Sequence, residues 1–272
     1  MFEIVEKKVL GPDIKLFRIN APDIAKKAKP GQFVIIRINE TGERIPLTIN
    51  DFDPRQGTIT IVFQEVGKTT ILLGRLNSGG FIEDLVGPLG RPTEIEDFGK
   101  VVCVGGGVGT AVIYPVTRAL YQAGNQVIGI IGARNKDLLI FEEEMKAFCH
   151  RLLITTDDGS KGIHGFVTDA LKKILEEEKI DRVIAIGPPI MMKFVAKTTQ
   201  LFGVKTIVSL NPIMIDATGM CGVCRVNVGG ETKFACVHGP EFDGHKVDFD
   251  LLIDRLNQYK EEEKIALSTL QD

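Results

Sequence analysis

Three of the five cysteines, Cys221, Cys224 and Cys236, fall within sixteen residues near the C-terminus, and Asp216 precedes them in an Asp-x4-Cys-x2-Cys-x11-Cys arrangement. Thiolates are soft donors suited to iron–sulfur and zinc centres. A Cys-x4-Cys-x2-Cys run with a distant fourth cysteine is the plant-type [2Fe–2S] spacing. Here aspartate stands at the first position. Gly219 and Gly222 let backbone approach a cluster and aim N–H groups at its sulfides. A carboxylate ligand is harder than a thiolate, so it would shift the potential and add a group able to take up a proton, as non-thiolate ligands raise the potential of Rieske centres. Two other readings stand beside this one. Asp216 could start a turn, and the three cysteines with His238 or His245 could hold zinc as a Cys3His set. Cys103, in an apolar run, and Cys149 read as apolar fillers.

A second chemistry resides in glycine. Gly105-Gly-Gly-Val-Gly109 follows an apolar strand and opens a helix, so Gly106, Gly107, Val108 and Gly109 can present backbone N–H groups to phosphate. Gly187-Pro188-Pro189 follows a later strand. Two such loops at strand ends point to a dinucleotide site. Asp157 and Asp158, in Thr155–Ser160, can bond ribose hydroxyls and would repel a 2′-phosphate, which favours NAD over NADP. Arg134 pulls the other way, and both aspartates could simply cap a turn.

The elements that must position these residues change character along the chain. Residues 1–98 read as short strands, among them Ile14–Ile19, Phe33–Ile38 and Thr58–Phe63, and imply an antiparallel β-barrel. Residues 99–210 alternate strand and helix. Helices are expected at Ala111–Ala123, Glu142–Cys149 and Phe166–Glu178. Strands are expected from Val101 and at Val127–Ile131, Leu152–Thr155 and Val183–Ile186. That alternation implies an α/β domain with a parallel sheet. Residues 211–247 form the cysteine domain, and 248–272 a C-terminal helix, charged and amphipathic from Asp248 to about Ala266. Lys172-Lys173 with Glu176–Glu178 reads as a solvated helix face, and His150 and His164 as loop or helix-end residues.

The chain resembles the ferredoxin–NADP reductase superfamily over nearly its whole length. The resemblance rests on Arg44-Ile-Pro-Leu-Thr48, Val66-Gly-Lys-Thr-Thr70, Gly87-Pro-Leu-Gly90, Gly105–Thr110, Thr156–Ser160 and the cysteine loop. Within it, the chain is similar to the branch of the dihydroorotate dehydrogenase electron-transfer subunit, the sulfide dehydrogenase small subunit and the small subunit of NADH-dependent reduced ferredoxin:NADP+ oxidoreductase. The resemblance implies FAD on the barrel, with Thr48 beside the redox-active nitrogen, Pro46 and Leu47 against the ring, and Val66, Gly67, Lys68, Thr69 and Thr70 at the pyrophosphate. Nicotinamide would bind over Gly106–Thr110. Arg44 lies one residue further from Thr48 than the superfamily's phosphate-binding arginine, and a one-residue shift turns a strand side chain to the other face. Dihydroorotate dehydrogenase subunits carry cysteine at the position of Asp216, so aspartate favours the transhydrogenase type. The implied activity moves electrons between NAD(H), FAD and a [2Fe–2S] cluster, bound for a larger flavin and [4Fe–4S] subunit in a heterodimer or larger assembly that serves ferredoxin. The electron-transfer subunit of NAD-dependent dihydroorotate dehydrogenase, and a zinc-stapled adaptor without catalysis, are the alternatives.

Composition narrows the field. Of 272 residues, 44% are hydrophobic and 25% charged, and the net charge of −3 comes without a dense Lys/Arg tract, so nucleic acid is not an expected partner. The N-terminus lacks an export-signal pattern, and Val101–Val116 is too short and glycine-broken to span a bilayer, so no membrane partner is expected. Five cysteines, an odd number, argue against a disulfide framework. Together these point to the cytoplasm.

Overall fold

A computed structural model describes residues 1–270. Strands β1 (Phe2–Gly11), β2 (Ile14–Asn20), β3 (Phe33–Arg37), β4 (Arg44–Asp53), β5 (Thr58–Gln64), β6 (Phe81–Ile82) and β7 (Asp84–Leu89) form one antiparallel barrel sheet. Its order is β6-β1-β2-β5-β4-β3-β7. Helices α1 (Pro22–Ala25) and α2 (Lys68–Arg75) fill its connections. Ile4, Phe17, Ile19, Ile59, Ile61 and Phe63 turn inward and are fully buried, with the Phe17 and Phe63 rings edge-on at 5.1 Å. Each such side chain contributes roughly 1.5–3 kcal/mol of burial.

The second sheet has the order β11-β10-β9-β8-β12-β13-β16. It is built from β8 (Lys100–Gly106), α3 (Gly109–Gln122), β9 (Gln126–Ala133), α4 (Glu142–Lys146), β10 (Arg151–Thr156) and β11 (Ile163–His164). It continues through α5 (Val167–Glu177), β12 (Arg182–Ile186), α6 (Pro189–Leu201) and β13 (Thr206–Ser209). Strands β8 to β13 pair in parallel, so their carboxyl ends share one edge. β8 is buried along Val101–Gly106, as a strand covered on both faces must be. In α3, Ile113, Val116 and Leu120 form the buried stripe that seats the helix on that sheet.

The C-terminal segment contains a hairpin of β14 (Arg225–Val228) and β15 (Glu231–Phe234), then α7 (Ala235–His238) and β16 (Glu241–Asp243). β16 pairs antiparallel with β13. The cysteine segment thus supplies a strand to the nucleotide sheet rather than standing apart from it.

Two expectations differ from what is seen. The single helix over Asp248–Ala266 is two, α8 (Phe249–Asn257) and α9 (Lys260–Ser268). They part at Tyr259, whose φ of −114° and ψ of 20° leave the helical region. The helix expected over Glu142–Cys149 ends at Lys146. Beyond the Gly187-Pro188-Pro189 loop, in a stretch for which no element was expected, lie α6 and β13; proline at the first helical position is compatible with helix. No described helix is long and apolar enough to cross a membrane.

Candidate functional site

A cleft of about 1100 Å³ runs between the barrel and the carboxyl edge of the parallel sheet. Pro46, Leu47 and Thr48 of β4 line one wall and Gly106–Gly109 the other, with Gly187 and Pro188 beside them. Phe33 pairs with Thr48 across β3 and β4 and also faces the cleft.

The glycine loop is shaped by close backbone approach. A Cβ on Gly109 would stand 2.3 Å from the Ile186 carbonyl oxygen, and one on Gly106 2.3 Å from the Met191 sulfur. Gly107 has φ of +56° and donates to the Gly132 carbonyl at 2.8 Å, which turns the chain from β8 into α3. At the start of α3 the Thr110 amide donates to the Gly107 carbonyl and the Ala111 amide to the Val108 carbonyl, each at 3.0 Å, which leaves the Val108 and Gly109 amides at the cleft end of the helix. At α2, the Thr70 hydroxyl accepts from the amides of Val66 and Gly67, each at 3.0 Å, so the amides of Lys68, Thr69 and Thr70 remain for a ligand.

Of the residues singled out from sequence, Pro46, Leu47, Thr48, Val66, Thr70, Gly106–Gly109, Asp157, Gly187 and Pro188 line the cleft. Others are placed elsewhere. The Arg44 guanidinium is 3.9 Å from Asp84, outside the cleft lining. Arg44 pairs with Arg37 across the strands and Asp84 is bonded by Arg37 at 2.5 Å, so this arginine joins a surface ion cluster. Gly67 and Lys68 lie outside the lining. Thr69 bonds Glu43 at 2.5 Å, and Thr110 is 2% exposed inside the helix. Asp158 caps a turn: Oδ1 accepts from the Ser160 amide at 2.9 Å, and the Ser160 hydrogen bonds hold its carboxyl below the usual range. Asp157 and Arg134 both face the cleft. Sequence reading missed Phe33, Gln64, Phe166, Phe194, Met214 and Pro240 in the lining, because they come from elements remote in sequence and carry no spacing signal.

Met214 and Pro240 carry the cleft into the cysteine segment. Cys224 and Cys236 are buried with their sulfurs 3.2 Å apart, packed with Phe33, Ile35, Met214, Ala217 and Ala235. Burial pushes the Cys236 thiol up to about 12, with the neighbouring Cys224 adding to it. Cys221 is exposed. Asp216 Oδ1 accepts from the Thr218 amide and Oδ2 from the Cys221 amide, both at 2.9 Å. These bonds, Thr218 first, hold the Asp216 carboxyl below its usual value. Its charge is nonetheless close enough to act on Cys236. Gly219 (φ +87°) and Gly222 (φ +66°) give the loop turns that a side chain would strain.

Among the described residues, no three of His, Cys, Asp and Glu already stand in metal-holding geometry. The donor set still fits an iron–sulfur cluster: two adjacent thiols at the floor, a third at the loop's exposed apex, and a carboxylate beside them. For the zinc alternative, His238 Nδ1 accepts from the Phe234 amide at 2.9 Å, which leaves Nε2 as its metal-binding nitrogen, and His245 Nε2 lies 2.9 Å from the Thr199 hydroxyl.

Residues 211–248 match the iron–sulfur cluster binding domain of dihydroorotate dehydrogenase B, and residues 103–197 match the oxidoreductase NAD-binding domain. A Thermotoga maritima homolog of the dihydroorotate dehydrogenase B (NAD(+)) electron transfer subunit is 53% identical, over 97% of this chain and 93% of that protein. The Desulforamulus reducens dihydroorotate dehydrogenase B (NAD(+)) electron transfer subunit is 32% identical, over 91% of this chain and 99% of that protein. Among solved structures, a chain of the NADH-dependent reduced ferredoxin–NADP oxidoreductase, described for flavin-based electron bifurcation, superposes with a TM-score of 0.96 at 50% identity. That match covers 100% of this chain and 98% of the other. With its parallel-sheet nucleotide fold, its cleft and its iron–sulfur segment, the chain belongs to the family of dihydroorotate dehydrogenase B electron transfer subunits, and is an NAD-binding oxidoreductase subunit that carries electrons within a multi-subunit complex.

Proposed function

We propose that this chain is the small subunit of an electron-bifurcating, NADH-dependent ferredoxin:NADP+ oxidoreductase, with FAD and NAD(H) sharing the cleft and a [2Fe–2S] cluster on Asp216, Cys221, Cys224 and Cys236. The observation that carries this reading is Asp216: an aspartate at the first ligand position, beside the thiols, in a chain 50% identical to the solved oxidoreductase. Bound FAD would supply the conversion between two-electron hydride chemistry at nicotinamide and one-electron transfer at the cluster.

The chain's own residues prepare that exchange. Thr48 offers a hydroxyl at the cleft face of the barrel, and Pro46 and Leu47 give a flat apolar bed. The α2 amides, Lys68 to Thr70, and the Val108 and Gly109 amides at the start of α3 provide fixed positive dipole ends for two pyrophosphates. Asp157 favours a free ribose over a 2′-phosphate. The apolar layer of Phe33, Met214 and Ala217 excludes water between the cleft and Cys224/Cys236. As a ligand, Asp216 would exchange one of its two amide bonds for iron. The partner is a larger subunit with its own flavin and [4Fe–4S] centres, which passes electrons to ferredoxin. Cysteines kept as thiols and cluster thiolates fit a reducing cytoplasm.

The test is anaerobic purification of the chain and of Asp216→Ala, with iron, zinc, acid-labile sulfide and flavin measured. Two irons, two sulfides and one FAD per native chain, with a lost or spectrally altered cluster in the variant, are expected. Zinc without sulfide refutes the relay. An unchanged cluster in Asp216→Ala removes the aspartate and, with it, the reason to prefer a bifurcating partner over a dihydroorotate-oxidising one.

A further inference from the structure

Helix α3 contains Pro115. Proline has no N–H, so the carbonyl of Ala111, four residues earlier, loses its intrahelical donor. Ala111 is fully buried, and a buried carbonyl without a partner is costly. The missing donor comes from the barrel: Asn50 Nδ2 bonds the Ala111 carbonyl oxygen. Asn50 is 2% exposed. It is free to reach out because the pairing of β4 with β5 slips there. Ile49 opposes Ile61 but Asp51 opposes Thr60, so Asn50 is the extra residue of a bulge. The next residue makes a second tie. Asp51 Oδ1 accepts from Arg118 Nη2 at 2.6 Å, and the Arg118 guanidinium lies 5.2 Å from the Tyr114 ring centre on the same helix.

The two ends of this link are close to the chemistry. Thr48, two residues before Asn50, faces the cleft from the barrel, and Gly109, two residues before Ala111, faces it from the opposite wall. We propose that Asn50, turned out of β4 by the bulge to replace the donor that Pro115 removes from α3, is a positioning residue that sets the spacing between the flavin wall and the nicotinamide wall. It rests on the assignment of FAD to the barrel and NAD(H) to the α3 loop. A purely helical satisfaction of Ala111 would have needed only an ordinary residue at 115. The proline makes the helix's first turns depend on a donor from the other wall, so the helix start is registered to β4 itself.

The test uses the full chain and two variants, Asn50→Leu and Asn50→Leu/Pro115→Ala. Asn50→Leu removes the donor at similar volume, and Pro115→Ala restores an in-helix N–H to Ala111. Two readouts are taken: hydrogen exchange of the amides of residues 107–113, relative to α5, and the rate at which saturating NADH bleaches the bound flavin. For Asn50→Leu, exchange at 107–113 should rise several-fold and bleaching should slow by about 10-fold or more, since roughly 1 Å of misplacement can cost two decades. FAD content and NADH affinity should stay within twofold.

The double variant separates positioning from mere satisfaction. Exchange should return to the native level, because the carbonyl is again paired, while bleaching stays slow, because the Asn50 tie at the helix start is still absent and the Asp51–Arg118 pair holds only the far end of α3. Native bleaching in the double variant would overturn the proposal, as would bleaching within twofold of native in Asn50→Leu. If Asn50→Leu yields no folded protein, the double variant, with no carbonyl left unpaired, gives the same decision. A native chain that holds no FAD, or whose flavin NADH does not bleach, refutes the functional reading instead. Exchange measured on the protein alone then decides whether Asn50 fixes α3 to the barrel, and unchanged exchange in Asn50→Leu sinks that too.

Discussion

Gly109→Ala adds one methyl group where the cleft wall packs directly against backbone. That carbon would stand 2.3 Å from the Ile186 carbonyl oxygen and 2.8 Å from the Gly187 Cα, where ordinary contact begins at 3.4 Å. Both neighbours are backbone at the end of β12, so no rotamer change relieves the clash. The start of α3 must retreat from the Gly187 loop by roughly 1 Å, and overpacking of this kind costs about 1–3 kcal/mol. Alanine recovers about 0.5–1 kcal/mol over glycine within a helix. The net is a loss on the order of 1–2 kcal/mol, or about 2–8 °C in melting temperature for a chain of this size. The retreat also moves the α3 amides away from phosphate, so NAD(H) affinity should fall by about 10-fold, equivalent to about 1.4 kcal/mol. Calorimetric melting and titration with NADH measure the two effects. Gly67→Ala is the control: a Cβ there meets nothing within 4 Å and φ is −132°, so its melt should match the native one. If Gly109→Ala also melts with the native protein and binds NADH within twofold, the tight packing of the two loops is not what holds the site.

Other consequences follow from single groups. Burial pushes the Glu241 carboxyl up to about 7, against the hydrogen bond from Thr93 at 2.5 Å. The folded state then keeps a proton that the unfolded chain has released, so stability should fall as pH rises from about 4.5 to 7, by on the order of 2–3 kcal/mol. Glu241→Gln should flatten that slope in thermal melts, and an equally steep slope in the variant would refute it. Burial pushes the thiols of Cys103 and Cys149 up to about 12, whereas Cys221 is exposed. In the cluster-free chain, iodoacetamide at pH 8 should label Cys221 first and the other two only on unfolding; mass mapping that finds equal labelling contradicts the burial argument. Arg182 is 7% exposed, stacks 3.4 Å from the Phe98 ring centre and pairs with Glu94 at 2.7 Å. Arg182→Met should cost about 1–3 kcal/mol in denaturant melts, and a change under 0.5 kcal/mol would show that neither contact matters.

Some of this architecture was plain in the residues themselves. The runs from Phe33 and from Thr58 are β-branched and bounded by turn formers, and both are strands. The glycine loop before α3 was equally open to reading, because backbone proximity excludes side chains and so leaves a trace in residue type. Other parts leave no such trace. β1 has a half-exposed pattern with two register breaks, so its alternation is blurred. The division of α8 from α9 occurs at Gln258–Tyr259 without glycine or proline. Asn50 looks like any polar residue in a strand. Its importance depends on a bulge and on a proline 65 positions later, a relation that only folding reveals.

The antiparallel strand β16 has a further bearing on how the protein is made. Strand β13 ends at Ser209, but its outer neighbour begins only at Glu241. At about 5–20 residues per second of synthesis, β13 waits seconds for that neighbour to leave the ribosome. Through that interval the nucleotide sheet presents a bare edge, the kind of template on which strands of other chains can pair. The segment that bears the cysteines is therefore also what closes the sheet. A chain truncated after residue 210 would lose its electron-carrying loop and, at the same time, its protection against aggregation.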